Sequence, residues 1–551
     1  MRNARSHTPL KLKPPWMAHA FGMYTPERPS AHHASRFHLT RRGFLAALGS
    51  AIAFEVARSS AIAAPPVAKF TTDPFKLGVA SGDPASNGIV LWTRLVLDVD
   101  SPNGGLTEPV PVLWEIASDH AMRHIVRHGI TSAVGELGHS VHVEADGLKP
   151  ATPYFYRFHA GGVTSPIGRT RTAPATGTMQ QRTRFAFSTC QHYEYGYYNA
   201  YKHMAEDDVD AVLFLGDYIY EYHLDEKVAV RRHTVQHPLT VADYRRHYIT
   251  YKSDPDLMAA HAAHPWIVTF DDHEVENNWA GTHPQWSSEP EPQFPERRAS
   301  AFQTYYEHMP LRIGALPQQG HIQIYRAIPY GRLAQFTVVD TRQFRSRQPC
   351  HDGEKAGCEA RFDQDQTMMG APQEKWFEQT LSASPAHWNV IANQVMVAQL
   401  AQPSPEGMKF NLDQWDGYTA ARKRLTGFLA ERKPSNTVIV TGDVHQTFVG
   451  NIKQNFDDPS SPAVAAELVV TSITSGGNGS EHQKGYDAIA AANPHIVYNN
   501  SFRGYMRCEL TPTMMTSELC VLPDGVRTDG TPSKVAARFV TESGRPGIAL
   551  A

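Results

Sequence analysis

Cysteine is scarce in this chain, five in 551 residues, which excludes a small scaffold held together by a disulfide framework. Charge is thin as well. Asp, Glu, Lys and Arg make up 19% and leave a net of −3 with histidine neutral, too little of one sign for global attraction to nucleic acid or acidic lipid. No apolar run approaches the roughly 20 residues that a membrane-spanning helix needs, and neither an internal repeat nor a long low-complexity tract is evident. What remains is an ordinary globular composition, 41% hydrophobic and 10% aromatic, in a chain too long for one core; two or more domains are expected.

The small net charge hides an asymmetry. Residues 1–63 hold nine Lys/Arg against two Asp/Glu, which leaves the remainder near −10. Within that basic stretch Thr40-Arg41-Arg42-Gly43-Phe44-Leu45 precedes a short Ala-rich apolar run, Ala46 to Ala53, and then Ala61-Ile62-Ala63. This resembles a twin-arginine export signal cut after Ala63, with Met23 an alternative start. It implies the twin-arginine export machinery as a partner and the periplasm or the medium as the destination. In an exported protein the cysteines suggest pairs with a remainder. Cys350 and Cys358 bracket a polar loop, Cys508 and Cys520 flank what reads as a hairpin, and Cys190 is left at the end of a strand.

Short apolar runs from Phe75 to about Thr172 (Gly88–Arg94, Val112–Ala117, His139–Glu144 and Tyr154–His159) are separated by Pro, Gly, Asp and Asn, a spacing that predicts a β-sandwich over 70–172. Gly147–Tyr154 resembles a turn leading into a strand of fibronectin type III modules. After a linker from Arg171 to Arg184, strand-like and helical stretches alternate, which predicts a layered α/β domain over 183–551 with a strand-rich end. Helices are expected over Ala200–Ala205, Asp243–Ala263 and Pro295–His308. Strands are expected at Val209–Leu215, Trp266–Phe270, Leu333–Asp340, Trp388–Ala392, Thr437–Val440 and Ala466–Thr471.

Three of those strands run straight into ligand-type residues: Gly216-Asp217-Tyr218-Ile219-Tyr220, Asp271-Asp272-His273-Glu274 and Gly442-Asp443-Val444-His445. A fourth, Phe185–Ser188, runs into Cys190. Ligands of open α/β sheets collect at carboxyl ends of strands. Asp217 is suited to bridge two cations. Tyr220 beside the Cys190 thiolate favours Fe(III) over Zn(II), and His445 would complete that ion. Asp443 suits a harder neighbour such as Ca(II), with Asn278 or Asp272 supplying another oxygen. Singly, each has an ordinary reading: Tyr220 as core, Asp217 as a turn, His445 as a loop histidine and Asn278 as a cap. Their combination at four strand ends is what points to a metal site.

Taken together, Ser188-Thr189-Cys190, Gly216–Tyr220, Asp271–Asn278, Tyr306–Arg312 and Gly442–His445 resemble the alkaline phosphatase D (PhoD-like) family, exported relatives of purple acid phosphatases among the calcineurin-like metallophosphoesterases. Val79–Pro84 and Trp92–Arg94 extend the resemblance into the amino-terminal part. It implies a four-layer αββα core preceded by a fibronectin type III-like sandwich. It implies an Fe(III) and Ca(II) centre, with one or more calcium ions, that hydrolyses phosphate monoesters and diesters by in-line attack of a metal-activated hydroxide. Carried onto this sequence, Cys190, Asp217, Tyr220 and His445 resemble the iron ligands. Asp217, Asn278 and Asp443 resemble the calcium ligands, with Asp272 the alternative to Asn278. His273, His308 and Arg312 are the candidates for phosphate contact and leaving-group protonation, since an arginine fork matches phosphoryl oxygens.

The substrates implied are small phosphorylated molecules, or phosphodiesters derived from phospholipid or polymer. A monomer with no stable nucleic-acid partner and no integral membrane segment is expected. Three competing readings are a phosphodiesterase or phospholipase D-like hydrolase on the same centre, a zinc hydrolase of another oxyanion or ester, and a non-catalytic envelope binding protein.

Overall fold

The computed structural model describes residues 69–551 apart from Glu289 and Lys484; the export segment, with Arg41, Arg42 and Ala63, lies outside the described residues. The chain builds two large mixed sheets. In the ten-stranded sheet Thr183–Ser188, Ala211–Phe214 and Pro265–Val268 run parallel in adjacent positions. The seven-stranded sheet has a parallel centre of Ala334–Val338, Trp388–Ala392, Thr437–Thr441 and Ala463–Val469. Most of these central strands are short, largely apolar runs buried along their whole length, such as Ala-Val-Leu-Phe and Thr-Val-Ile-Val-Thr. Absence of alternation is what a strand covered on both faces requires.

One cluster joins the sheets: Phe185, Phe187, Leu213 and Ile267 of the larger meet Phe336, Trp388, Val390 and Val438 of the smaller. A second covers the other face of the ten-stranded sheet, with side chains from the helices Asn199–Glu206, Val241–Lys252, Pro255–Ala263 and Phe294–His308. A third covers the seven-stranded sheet with Gly370–Ala383 and Thr419–Arg432. Each fully buried Phe or Leu in these clusters is worth roughly 1.5–3 kcal/mol over exposure.

The single helix expected over 243–263 is two. Thr240 and Asp243 form a reciprocal capping box at the start of the first. Pro255 opens the second behind the Asp254 cap, because a proline disfavours helix at the preceding residue and has no N–H to lose at the first helical position.

The amino-terminal strands divide between two sheets. Val79–Ala85, Gly88–Arg94 and Ser140–Ala145 extend the ten-stranded sheet, with Val79–Ala85 lying parallel against Pro265–Val268. Val110–Ala117, Ile125–Ala133, Pro153–Ala160, Val163–Thr164 and Gly168–Arg171 form a separate five-stranded sheet. Ile89, Leu91, Val141 and Val143 pack against Val112, Ile116, Tyr156 and Phe158 between them. The strand Ile125–Ala133 escapes the sequence reading because it is largely solvent-facing and has no apolar alternation.

Cys350 and Cys358 are bonded, with sulfurs 2.00 Å apart. The expected pairing of Cys508 with Cys520 is not made. Both are free, because the hairpin register sets Cys508 opposite Ser517 and Cys520 opposite Tyr505. The two thiols also enter cores on opposite faces of the sheet, which no disulfide can span. Among the described residues no helix is long and apolar enough to cross a membrane.

Candidate metal centre

The carboxyl ends of the parallel strands of both sheets meet at one place. Cys190 follows Thr183–Ser188, Asp217 and Tyr220 follow Ala211–Phe214, and Asp271 to Glu274 follow Pro265–Val268. Asp443 and His445 follow Thr437–Thr441 of the other sheet. Five candidate residues, Cys190, Asp217, Asn278, Asp443 and His445, hold a left-handed backbone, with φ from 53° to 65°. Non-glycine residues rarely adopt it, and such outliers gather at functional sites. Gly216 permits the approach of the second loop to the third: a Cβ there would stand 2.5 Å from the Asp271 backbone nitrogen.

The side chains are mutually bonded. The Cys190 thiol lies 3.3 Å from Asp217 Oδ2 and donates to it, as the Tyr220 hydroxyl does at 2.8 Å. Tyr220 is also 3.1 Å from His445 Nε2 and accepts from the Ser475 hydroxyl at 2.8 Å. Potential ligand atoms of Cys190, Asp217 and His445 lie within 4.8 Å of one another; so do those of Asp217, Asp272 and His273, and those of Asp271, Asp272 and Asp443. Asp272 therefore belongs to two groups at once. Its Oδ2 accepts the Asn278 N–H at 2.7 Å, while its Oδ1 is buried without a hydrogen bond, 3.6 Å from the Arg342 guanidinium.

Electrostatics says that this set is incomplete by itself. Burial pushes Asp217 well above the usual carboxylate range, and Asp272 pushes it further. Burial does the same to Asp443, helped by Asp271 and Asp272. It also raises the Cys190 thiol, with Asp217 and Asp443 adding to the effect. Several buried acids that repel one another around an unbonded oxygen fit a cation, because buried charge must be paired. Thiol, phenol, imidazole and carboxylates together are a donor set for a metal cofactor. His445 is pushed down to about 3 by burial and by Arg503, which leaves a neutral imidazole with a lone pair.

Supporting residues complete the arrangement. Glu274 is buried and accepts the backbone N–H groups of Asp217, Tyr218 and Asp271 at 2.7–3.1 Å, which locks two strand-end loops together. Arg342 donates to Asp271 at 2.5 Å and to Asp413 at 2.9 Å. Gln414 donates to Asp443. His273 Nδ1 is 2.7 Å from Glu221 Oε2, and its ring stacks on Tyr220 with centroids 4.1 Å apart. Burial opposes its charge, but Glu221, Asp272 and Asp217 outweigh burial and hold the imidazolium well above the usual range.

The family model of PhoD-like phosphatases matches residues 185–519, and that of the PhoD-like phosphatase N-terminal domain matches 59–174. The chain belongs to the PhoD-like phosphatase family. Alkaline phosphatase D of Bacillus subtilis (strain 168) is 45% identical over 505 residues, covering 91% of this chain and 86% of that protein. The solved structure of PhoD superposes with a TM-score of 0.85 at 45% identity, covering 89% of this chain and 93% of that one.

Within this member of the PhoD-like family, not every residue singled out from sequence reaches the cluster. Asn278 lies beside Asp272, but its side-chain amide donates to Asp352 Oδ2 at 2.6 Å. His308 sits in the core at a helix end, bonded to Arg94 and to the Thr304 carbonyl at 2.6 Å each and stacked on Tyr248. Arg312 donates to Glu144 at 3.0 Å and to the Asp83 carbonyl at 2.7 Å. The helix end turns both toward the amino-terminal strands. Sequence reasoning missed Glu221, Asp352, Asp413 and Arg342. Only Arg342 carried a signal, as a charged residue just past the expected strand 333–340.

Proposed function

We propose that the chain is an exported, metal-dependent phosphatase that hydrolyses phosphate monoesters and also diesters. The observation that carries this is the convergence of Cys190, Asp217, Tyr220, Asp272, Asp443 and His445 at strand ends, the first four buried and the last two half-buried, with acids outnumbering cationic side chains. Cys190, Asp217, Tyr220 and His445 would hold Fe(III). Asp217, Asp443 and Asp272, with Asn278 at its side, would hold Ca(II). When bound, the two cations would supply Lewis-acid stabilisation of phosphoryl oxygens and acidification of water.

The chain's own contribution is positional. Glu221 holds the Nδ1 proton of His273 and Tyr220 restrains its ring, so the charged imidazole keeps a second proton, on Nε2, for a leaving oxygen. Glu274 and Arg342 hold the carboxylates in register before substrate arrives, which spares reorganisation in the transition state. The two packed sheets with helices outside are read as a four-layer αββα core. Residues 70–172 are read as a sandwich domain ahead of a catalytic domain over 183–551. Arg41-Arg42 supports export through the twin-arginine route after folding, to the periplasm or the medium.

The test is elemental analysis and visible absorption of the exported protein, followed by turnover of p-nitrophenyl phosphate and of bis-p-nitrophenyl phosphate with and without calcium. Iron with a tyrosinate-to-iron band and calcium-dependent turnover are expected. Zinc as the only metal, or no turnover after reconstitution with iron and calcium, would overturn the reading.

A further inference from the structure

We propose a second, separate cation site of the zinc class, built from Glu194, His223 and His233. Nothing between Phe214 and Val241 is helix or strand, an unusually long irregular segment for a folded domain. His223 and His233 lie in it, and their ligand atoms come within 4.8 Å of each other and of Glu194.

The hydrogen-bond logic shows what is missing. His247 Nε2 is 2.6 Å from the Tyr220 carbonyl, so its proton is there and its Nδ1 is an acceptor. That Nδ1 faces His233 Nδ1 at 3.2 Å, so His233 must carry its own proton on Nδ1. His233 Nε2 is then a bare lone pair, yet it faces two more acceptors: the Tyr222 carbonyl at 3.0 Å and Glu194 Oε1 at 3.4 Å. The opposite tautomer only moves the clash to the two Nδ1 atoms. A charged His233 or a charged His247 would relieve it, but burial opposes both charges.

A cation at Nε2 resolves the conflict, and the His247 contact becomes the hydrogen bond that orients a ligating imidazole. The other ligands are suitably free. Glu194 Oε2 is engaged by the Leu224 N–H at 2.7 Å and Arg232 at 2.9 Å, whereas Oε1 has only the His233 N–H at 3.3 Å. His223 Nε2 is buried without a partner. Two imidazoles and one carboxylate are a donor set for zinc or a similar borderline ion.

The experiment incubates the purified holoenzyme with Zn2+, dialyses it, and measures zinc by elemental analysis in the parent and in His223→Ala and Cys190→Ser. His223 is only half-buried, so its truncation leaves the core intact. One zinc equivalent beyond the metals already present, lost in His223→Ala and kept in Cys190→Ser, is the expected result. Absence of that equivalent, its persistence in His223→Ala, or its loss in Cys190→Ser would each overturn the proposal. In the last case the zinc belongs to the central cluster. Dialysed His223→Ala should also be cleaved faster than the zinc-loaded parent within 219–240 under limited proteolysis.

Discussion

Two buried polar networks can be compared directly. At the end of the helix Phe294–His308, Glu307 receives Arg245 on both oxygens at 2.7 Å. Arg94 there donates to the Gly138 and Pro102 carbonyls and meets His308. Burial, with Arg94 beside it, pushes His308 well below the usual imidazole range. Glu307 is paired with Arg245, and the Arg94 N–H groups are taken by carbonyls and His308, so the network closes on itself. At the strand ends the balance is reversed: carboxylates outnumber cationic partners, Asp272 Oδ1 has no hydrogen bond and only Arg342 at 3.6 Å, and the backbone is held left-handed. Burial alone does not mark a site, since Glu307 and His308 are as buried as Cys190 and Asp217. The mark is an excess of mutually repelling acids that protein groups leave unmatched.

If the helix-end network is purely structural, Glu307→Gln should destabilise the fold by about 3–5 kcal/mol, because it leaves a buried guanidinium unpaired. The folded fraction should turn over normally, as read by denaturant melts beside single-site kinetics. Asp217→Asn should do the reverse, with stability kept or raised and turnover lowered on the order of 10²–10³-fold. Chelation of the parent should reproduce that loss. Were Asp217→Asn fully active, the distinction between the networks would collapse.

Glu221→Gln sharpens the comparison within the site. It should lower turnover about 10–100-fold and move the alkaline limb of the rate profile to lower pH, since His273 loses the carboxylate that favours its charge. A smaller effect concerns histidines outside the cluster. Burial pushes His142 and His247 down to about 4. Their contribution to stability is therefore complete above the unfolded value near 6.5 and lost as pH falls from there to about 4. Unfolding free energy should fall across that window with a slope of at most about 1.4 kcal/mol per pH unit for each, read by denaturant melts at a series of pH values. The smallest effect is expected for Arg312→Ala: its partner Glu144 is 36% exposed, so about 0–1 kcal/mol of stability and no change in KM. A raised KM would return Arg312 to the substrate pocket.

The strand-end residues were legible because a central parallel strand reads as an uninterrupted apolar run, and whatever polar residue follows it must stand at the sheet's carboxyl edge. The Tyr306–Arg312 stretch offered the same residue types without that positional logic, and its side chains turn toward Arg94, Asp83 and Glu144. Asp352 and Asp413 were not legible because their partners lie up to 74 residues away, and Arg342 showed only its place just past a strand, not its partners. The Cys508–Cys520 pairing failed for a related reason. Spacing gives a hairpin but not its register, and register decides which face each thiol enters.

Sequence by itself determined the layered α/β class, the central strands and the ligand types that follow them, since periodicity and local backbone preference act over a few residues. Tertiary structure alone decided that the amino-terminal strands divide between two sheets, that Asp272 joins both carboxylate groups, and that His308 is bound into a closed network. Those outcomes depend on which distant loops are pressed together and on how many charges they bring, a sum that no single segment contains.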